Sequence, residues 1–166
     1  MNLRTVLKSM VAPFLTAYVR RTCASCGPEL KVNLFSRVTP NTRLGRNVNF
    51  NGMEIGGRGN VRIGDNFHSG KRCVIITDNH NYEGNAVPYD DTVISKDVII
   101  EDNVWIGYGV IILGGVRIGE GAIIQAGSVV VSDIPACAIA GGHPARPFRT
   151  RDVEHYKTLK AQGRFI

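Results

Sequence analysis

One polar loop holds the side chains best suited to chemistry. It includes Asp78, Asn79, His80, Tyr82 and Glu83. Imidazole takes up and releases protons near neutral pH because its ordinary pKa is about 6.5, so His80 is a candidate general base. The common alternative is a solvated loop histidine without a role. Asp78 or Glu83 could orient the imidazole, although a backbone carbonyl would serve equally well.

Two arginines near the C-terminus could bind an anion. Arg146 and Arg149 adjoin the Gly/Pro-rich stretch AGGHPARPF, and guanidinium groups bind phosphate oxygens in a bidentate fashion. Alternatively, they only solvate the surface. The net charge of +6 favours an anionic partner without choosing among nucleic acid, phosphorylated cofactors and acidic lipids. The basic residues gather at the two termini rather than among stacking aromatic residues, which argues against nucleic acid.

Other kinds of site find little support in the sequence. There is no GxxxxGK[ST] phosphate loop, and the glycines follow the turns of a repeat. His80 with Asp90 and Asp91 lacks further ligands at suitable spacing, so we expect no metal. Cys23 and Cys26 form the only close cysteine pair, and we expect the cysteines to be reduced.

A period of six residues organises most of the chain. β-Branched residues recur at Ile94, Ile100, Ile106, Ile112, Ile118, Ile124 and Val130. A second small or apolar residue follows each of them by four positions, from Val98 to Ile134. An α-helix turns by about 100° per residue and could not keep one face buried at this period, whereas short strands with tight turns can. Three units would form one coil of a parallel solenoid with a continuous apolar column.

The same register begins at Val32 and is displaced once. It continues to Phe50 and resumes one residue out of phase at Ile63, after the sequence GGRGN. The repeat therefore predicts an all-β protein, with a parallel β-helix over residues 32–135 and an excursion at about 77–92. That loop is too polar to join the buried column, so it must project from it.

The two ends of the chain, residues 1–31 and 136–166, should flank and cap the solenoid. Apolar residues recur at helical spacing at Leu3, Val6, Leu7, Met10, Phe14 and Tyr18. Pro13 predicts a break or kink in that helix. Thr150 or Asp152 could cap a short C-terminal helix. The basic N-terminal segment could also rest on a membrane surface, although packing on its own assembly is favoured.

Length and composition predict one domain, since the chain has 166 residues and is 43% hydrophobic. Its apolar runs are much shorter than the roughly 18 residues that suggest a membrane span. The first residues are mixed in character and do not form a secretory signal, so we expect a cytoplasmic protein.

Three segments resemble the hexapeptide-repeat acyltransferases. They are IGDNFHSGKRCVIITDNH, VIIEDNVWIGYGVIILGGVRIGEGAIIQAGSVVVSDIP and IAGGHPARPFR, in that order. The likeness is to the branch with galactoside, maltose and xenobiotic acetyltransferases and polysaccharide O-acetyltransferases. It implies a left-handed β-helix, against the usual right-handed crossover, and a homotrimer with active sites between subunits.

The resemblance also implies roles for individual residues. His80 takes the place of the family's catalytic histidine. The donor-binding positions correspond to Trp105, Gly107, Tyr108, Ala126, Gly127 and Arg146, with Arg149 as an addition. An acceptor-binding asparagine corresponds to Asn51 or, because of the displaced register, to Asn49, and Asn51 is preferred. The other expected substrate contacts are Asp78, Asn79 and Tyr82.

The implied activity is transfer of an acetyl group from acetyl-CoA, a co-substrate, to a hydroxyl of a sugar or glycan precursor. One alternative is N-acetylation of an amino sugar or antibiotic, which uses the same base. Another is a non-catalytic or metal-binding β-helix scaffold. The expected partners are an acyl donor and a sugar-like acceptor.

Overall fold

Two helices flank a series of short strands in the computed structural model, which describes residues 3–166 and, for side chains, residues from Met10 onwards. The helices are α1 (Leu3–Thr22) and α2 (Val153–Ala161). The strands are β1 (Ser25–Cys26), β2 (Lys31–Leu34), β3 (Thr42–Leu44), β4 (Asn49–Asn51), β5 (Glu54–Gly56), β6 (Val61–Ile63), β7 (His68–Lys71), β8 (Val74–Ile76), β9 (Asp78–His80), β10 (Val93–Ser95), β11 (Val98–Ile100), β12 (Trp105–Ile106), β13 (Ile111–Leu113), β14 (Arg117–Ile118), β15 (Ile123–Ile124), β16 (Val129–Val130), β17 (Ala138–Gly142) and β18 (Ala145–Thr150).

The strands form three sheets along the solenoid. Sheet A has the order β1-β3-β6-β11-β14, sheet B the order β18-β17-β15-β12-β7-β4-β2, and sheet C the order β16-β13-β8-β5. Strands that are next to one another in a sheet are one coil apart in the chain and pair in parallel. The exception is β17 with β18, which form an antiparallel hairpin. The predicted all-β parallel β-helix with flanking helices is confirmed, and the stacked coils agree with the left-handed form.

The repeated aliphatic positions form the core. Ile100, Ile106 and Ile112 are each at most 1% exposed, and the second small positions, such as Val104 and Val110, are equally buried. Each fully buried aliphatic side chain contributes about 1.5–3 kcal/mol relative to exposure. The apolar column is therefore the main source of stability of the coils.

The displaced register has two parts rather than one. Ile55, rather than Gly56, follows Phe50 in the core, because it pairs with Ile75 in sheet C. Extra residues around GGRGN then precede Ile63, which pairs with Leu44 in sheet A. The first spacing, from Phe50 to Ile55, is one residue shorter than six, and the second, from Ile55 to Ile63, is two residues longer. The net displacement is therefore the one residue that the sequence predicted.

The excursion from the coils contains a hairpin. β9 and β10 pair antiparallel, with His80 opposite Val93 and Asp78 opposite Ser95. Ile94, which the six-residue spacing placed in the buried column, lies in β10 and is 40% exposed. That prediction is wrong, because β10 pairs with β9 rather than with a strand of a neighbouring coil.

α1 covers the open edge of sheet B at β2. The backbone N–H of Val32 donates to Thr16 Oγ1 at 3.2 Å, and Val19 is fully buried. The break predicted at Pro13 is absent, since the helix is continuous from Leu3 to Thr22. Proline removes one intrahelical donor, and packing of Leu15 and Val19 on the core compensates. Within residues 3–166, neither helix is long and apolar enough to cross a membrane.

The chain beyond the coils folds into a hairpin and a capped helix. β17 adds in parallel to β15, and β18 returns antiparallel to β17, so the Gly/Pro-rich stretch AGGHPARPF is part of a β-hairpin. Asp152 caps α2 by accepting a hydrogen bond from the backbone N–H of His155 at 2.9 Å. Of the two proposed caps, Thr150 and Asp152, the structure selects Asp152. β1 and β17 lie outside residues 32–135 and extend sheets A and B.

One corner of the solenoid is an asparagine ladder, formed by Asn47, Asn66 and Asn103. All three have positive φ, between 52° and 60°, a conformation that asparagine tolerates better than most residues. Asn47 Nδ2 donates to Asn66 Oδ1 at 3.1 Å, and Asn66 Nδ2 donates to Asn103 Oδ1 at 2.9 Å. The ladder therefore connects three successive coils.

The C-terminal segment closes both ends of the asparagine ladder. Asn103 Nδ2 donates to Tyr156 Oη at 2.8 Å, and Asn47 Nδ2 donates to the carbonyl of Ile166 at 2.7 Å. Tyr156 Oη in turn donates to Glu120 at 2.6 Å, and burial together with this bond raises the pKa of Tyr156. Burial opposes ionisation of Glu120, but hydrogen bonds from Lys160 and Tyr156 outweigh it and lower the pKa of Glu120.

All four cysteines are free in this structure. Burial, reinforced by the neighbouring Cys26, raises the pKa of Cys23 to about 11, and burial also raises the pKa of Cys73. Since the thiolate is the reactive form, Cys23 and Cys73 are poor nucleophiles.

Candidate active site

His80 lies at the end of β9 with its side chain exposed. Its ring stacks on Tyr89, with centroids 3.9 Å apart and an angle of 13° between the planes. Among the described residues, no side chain forms a hydrogen bond with the imidazole. Stacking on one face thus holds the ring while both of its nitrogens stay open to a substrate.

The carboxylate of Asp78 is bound at the base of the hairpin and not to the imidazole. It accepts hydrogen bonds from the backbone N–H of Arg58 at 2.8 Å, from Arg58 Nε at 3.1 Å and from Thr77 Oγ1 at 3.3 Å. The bond from the Arg58 backbone, supported by Ser95, outweighs partial burial and lowers the pKa of Asp78 to about 2. Asp78 therefore fixes the hairpin on the coils as an anion.

The remaining polar residues of the excursion surround the hairpin. Asn79 is exposed and lies opposite Ile94, and Tyr82 is 70% exposed. Asp90 accepts from the backbone N–H of Thr92 at 2.9 Å and from that of Asn85 at 3.2 Å, so it holds the turn that carries Tyr89. Asn79 and Tyr82 are free to contact a ligand, as the resemblance implies, while Asp90 is structural.

The two candidate acceptor-binding asparagines lie on β4 in sheet B. Asn49 is buried, and its Nδ2 lies 3.3 Å from His68 Nε2. Asn51 is half-buried, and its Nδ2 donates to the carbonyl of Ser69 at 2.8 Å while its Oδ1 accepts from Asn33 at 3.1 Å. Asn51 is the more accessible of the two, although its amide also links neighbouring coils.

Trp105 lies on the outer face of sheet B and is 56% exposed. It borders a cavity of about 470 Å³ between sheet B and the C-terminal segment. The cavity is lined by Asn66, His68, Asn103, Val104, Trp105, Ile123, Arg151, Tyr156, Leu159, Lys160, Arg164, Phe165 and Ile166. This set does not include His80, so this cavity and the candidate base are separate within the described chain.

Gly107 lies in a column of small residues where successive coils approach closely. A Cβ at Gly107 would lie 2.5 Å from the backbone N of Ala126, and a Cβ at Gly70 would lie 2.5 Å from the backbone of Gly107. Beside them, the backbone N–H of Gly127 donates to the carbonyl of Tyr108 at 2.7 Å. The column leaves a narrow surface of exposed backbone next to the half-exposed ring of Tyr108.

The hairpin of β17 and β18 adjoins this column at Gly127. His143 contacts the carbonyl of Gly127 through Nε2. Arg146 donates to Ser132 Oγ and to the carbonyl of Ala145, each at 3.1 Å, so its guanidinium is held near the same corner. Arg149 lies further along β18, opposite Ile139, and is exposed.

The structure thus brings most of the candidate donor-binding residues together. Gly107, Tyr108, Ala126, Gly127 and Arg146 share one corner of the last coils. In the described part of the chain, no hydrogen bond, ion pair or ring contact joins that corner or Trp105 to the hairpin of His80.

Sequence reasoning missed Tyr89 and the C-terminal tail. Tyr89 follows His80 by nine residues, and only the fold of the excursion brings the two rings together. The tail residues Phe165 and Ile166 border the cavity beside sheet B, and their apolar character was the only sequence signal for a contact there. Among the described residues, no group of three or more His, Cys, Asp or Glu side chains could hold a metal ion.

Comparison with known sequences identifies the repeat. A family model described as bacterial transferase hexapeptide (six repeats) matches residues 97–132. A Schizosaccharomyces pombe protein named "putative acetyltransferase" is 43% identical over 89 residues, which are 54% of this chain and 42% of that protein. The chain thus spans less than half the length of this curated relative.

Comparison with solved structures extends the likeness to most of the chain. A galactoside acetyltransferase in complex with coenzyme A is 27% identical with a TM-score of 0.71, over 84% of this chain and 71% of that one. A hexapeptide-repeat acetyltransferase of Vibrio cholerae in complex with acetyl coenzyme A is 29% identical with a TM-score of 0.66, over 81% of this chain and 74% of that one. The six-residue repeat, the three parallel sheets and these comparisons show that the chain carries the hexapeptide repeat of bacterial transferases at residues 97–132 and shares the fold of hexapeptide-repeat acetyltransferases.

Proposed function

We propose that this protein is an acetyl-CoA-dependent O-acetyltransferase that acts on a hydroxyl of a sugar or glycan precursor, with His80 as the general base. The observation that supports it most directly is the presentation of His80. Its imidazole is exposed and held by Tyr89 on the hairpin that leaves the coils. A general base needs a defined position and free access to the proton that it removes.

The donor would bind at the corner formed by Gly107, Ala126 and Gly127. The two similar acetyltransferases were solved with coenzyme A and acetyl coenzyme A, and the likenesses cover 84% and 81% of this chain. The close column of small residues gives an extended pantetheine arm access to backbone groups, and Tyr108 offers an apolar side. Arg146, held by Ser132, supplies a guanidinium for phosphate oxygens.

The site would be completed by a second subunit in a homotrimer. His80 and Trp105 have no contact within the described chain, and both are exposed. Trp105 of one subunit would face His80 of its neighbour, and the acceptor would bind between them. An exposed indole next to amide side chains suits the apolar face and the hydroxyls of a sugar ring.

The reaction needs one proton transfer in each direction. A ring nitrogen of His80 takes the proton of the acceptor hydroxyl, and the oxygen attacks the carbonyl carbon of the acetyl thioester. When the C–S bond breaks, the imidazolium returns the proton to the leaving sulfur. The products are the O-acetyl ester and the free thiol, so no oxidant, metal or additional base is required.

Release of free thiol from acetyl-CoA with a panel of sugars and nucleotide sugars tests the proposal. Removing a general base costs about 100-fold or more, so we expect His80→Ala to lose turnover to that extent. His155→Ala is the matched control, because His155 is an exposed histidine on α2 away from the proposed site. Full turnover by His80→Ala would contradict the mechanism.

The chemistry of the product separates O-acetylation from N-acetylation. Mild base hydrolyses an ester and leaves an amide intact, so we expect the acetyl group to be lost on alkaline treatment. A base-stable product from an amino sugar would show that the enzyme is an N-acetyltransferase with the same base.

A further inference from the structure

The outward side of α1 is an apolar surface that no described residue covers. We call it the α1 outer face, and it consists of Met10, Val11, Phe14 and Tyr18 with the adjacent Phe35. Phe14 is 77% exposed, Met10 64% and Phe35 63%, and Tyr18 stacks on Phe35 with ring centroids 5.7 Å apart. Contiguous exposed apolar residues of this size mark an interaction surface.

The α1 outer face is not the side that holds the helix on the protein. Val19 is fully buried and Leu15 packs against the core, while Thr16 accepts the hydrogen bond from Val32. Met10, Phe14 and Tyr18 follow one another at intervals of four residues, so they share the opposite side of the helix. These side chains are therefore not the ones that hold the helix on the core, and they are available to a partner.

The border of the α1 outer face is cationic. The helix sequence from Leu3 to Thr22 contains no Asp or Glu, and its last turn carries Arg20 and Arg21. Arg20 and Lys31 line the groove between α1 and β2, on the side of the helix that faces the solenoid, whereas Arg21 follows Tyr18 by three residues and lies on the outer side. A second copy that docked symmetrically, with this same face against itself, would bring Arg21 against its equivalent. An anionic partner has the complementary charge.

We propose that the α1 outer face docks on the surface of a bilayer that contains anionic phospholipids. The helix lies in the plane of the interface, with Phe14 and Met10 among the upper acyl chains and Arg20 and Arg21 at the lipid phosphates. This combination of an apolar face with aromatic residues and a basic border is typical of helices that bind membrane surfaces. The proposal does not depend on the acetyltransferase activity.

Sedimentation of the full-length protein with sucrose-loaded vesicles tests the proposal. We expect binding to vesicles of phosphatidylcholine with phosphatidylglycerol, little binding to phosphatidylcholine alone, and release by salt, which screens charges. Wild-type protein that stays in the supernatant with anionic vesicles, or binds both compositions equally, would overturn it.

Two pairs of variants separate the apolar and cationic contributions. Phe14→Ser should weaken partitioning about tenfold or more through loss of a buried aromatic ring, whereas Phe148→Ser should leave it unchanged. Phe148 is a matched control because it is 57% exposed and lies near Arg149. Equal binding by these two serine variants would overturn the proposal.

The arginines are tested in the same way. Arg20→Gln with Arg21→Gln should weaken partitioning by about 30-fold, given the usual contribution of a cation at an anionic surface. Arg43→Gln with Arg62→Gln removes the same charge from adjacent exposed positions of sheet A and should have a much smaller effect. Equal losses from both pairs would show unspecific attraction and contradict the assigned face.

A second copy of this chain is the other possible partner of the α1 outer face. Sedimentation equilibrium without vesicles distinguishes it from a membrane. We expect Phe14→Ser to keep the wild-type oligomeric mass and circular dichroism spectrum. A changed mass would assign the face to a subunit interface and overturn the proposal. If Phe14→Ser does not fold, Met10→Ser provides the same test, since Met10 is 64% exposed.

Discussion

Replacing Tyr89 tests whether stacking positions the candidate base. The ring of Tyr89 lies parallel to the imidazole of His80 at 3.9 Å between centroids, and His80 has no hydrogen-bond partner among the described side chains. In Tyr89→Ala the imidazole loses this contact and can adopt other rotamers. Tyr89→Phe keeps the ring and removes only the hydroxyl, so it serves as the conservative control.

The expected magnitude follows from the contact itself. An aromatic pair contributes about 0.5–1.5 kcal/mol beyond buried area, and each 1.4 kcal/mol is about a factor of ten in rate. We therefore expect Tyr89→Ala to lower kcat by about twofold to tenfold, with a smaller change in KM for the donor. Tyr89→Phe should stay close to wild type.

Two measurements check this prediction. Steady-state thiol release with an accepted sugar gives kcat and KM for each variant. Proton NMR of the His80 ring gives an independent readout without an acceptor, because the ring current of Tyr89 shifts the imidazole protons upfield and Tyr89→Ala should remove that shift. Wild-type kcat and an unchanged imidazole spectrum in Tyr89→Ala would refute the reasoning, as would equal losses in the alanine and phenylalanine variants.

Three further predictions concern packing and assembly. Tyr156→Phe should lower the free energy of unfolding by about 2 kcal/mol, because the two hydrogen bonds of the tyrosine hydroxyl are lost. Urea denaturation measures this loss, and an unchanged midpoint would contradict the prediction. Gly107→Ala should cost about 1–3 kcal/mol because its Cβ would meet backbone, whereas Gly56→Ala, with no atom within 4 Å of the added Cβ, should be nearly neutral in the same assay. Co-expressed His80→Ala and Trp105→Ala chains, each inactive alone, should form mixed trimers. Random mixing pairs an intact His80 with an intact Trp105 at about a quarter of the sites, so thiol release should be about a quarter of that of wild type. No recovery of activity would show that the two residues do not act across subunits.

The coils could be predicted from the sequence because their signal is local and repeated. Ile100, Ile106 and Ile112 each occupy the same position in a short unit, and burial of one predicts burial of the next. Ile94 keeps the spacing but not the environment, since strand pairing between β9 and β10 decides its exposure. A period measured along the chain cannot show which strand a residue will pair with.

The candidate site was less accessible to sequence reasoning, because its geometry depends on contacts between distant segments. His80 could be singled out by its place in a polar excursion, but the Tyr89 ring that holds it comes from the returning part of that loop. The binding of Asp78 to Arg58 rather than to the imidazole likewise depends on how the hairpin meets an earlier turn. The roles of these residues in catalysis stay predictions for the experiments above.

The asparagine ladder affects how the protein is completed during synthesis. A solenoid ordinarily couples only neighbouring coils, so each coil can form as soon as it is made. Here Asn47, in an early coil, is bound by the carbonyl of Ile166, which lies 119 residues later in the chain. The early end of the ladder can therefore acquire this hydrogen bond only after Ile166 has been synthesised and has left the ribosome. We expect a nascent chain held on the ribosome to exchange amide hydrogens around Asn47 faster than the released protein does.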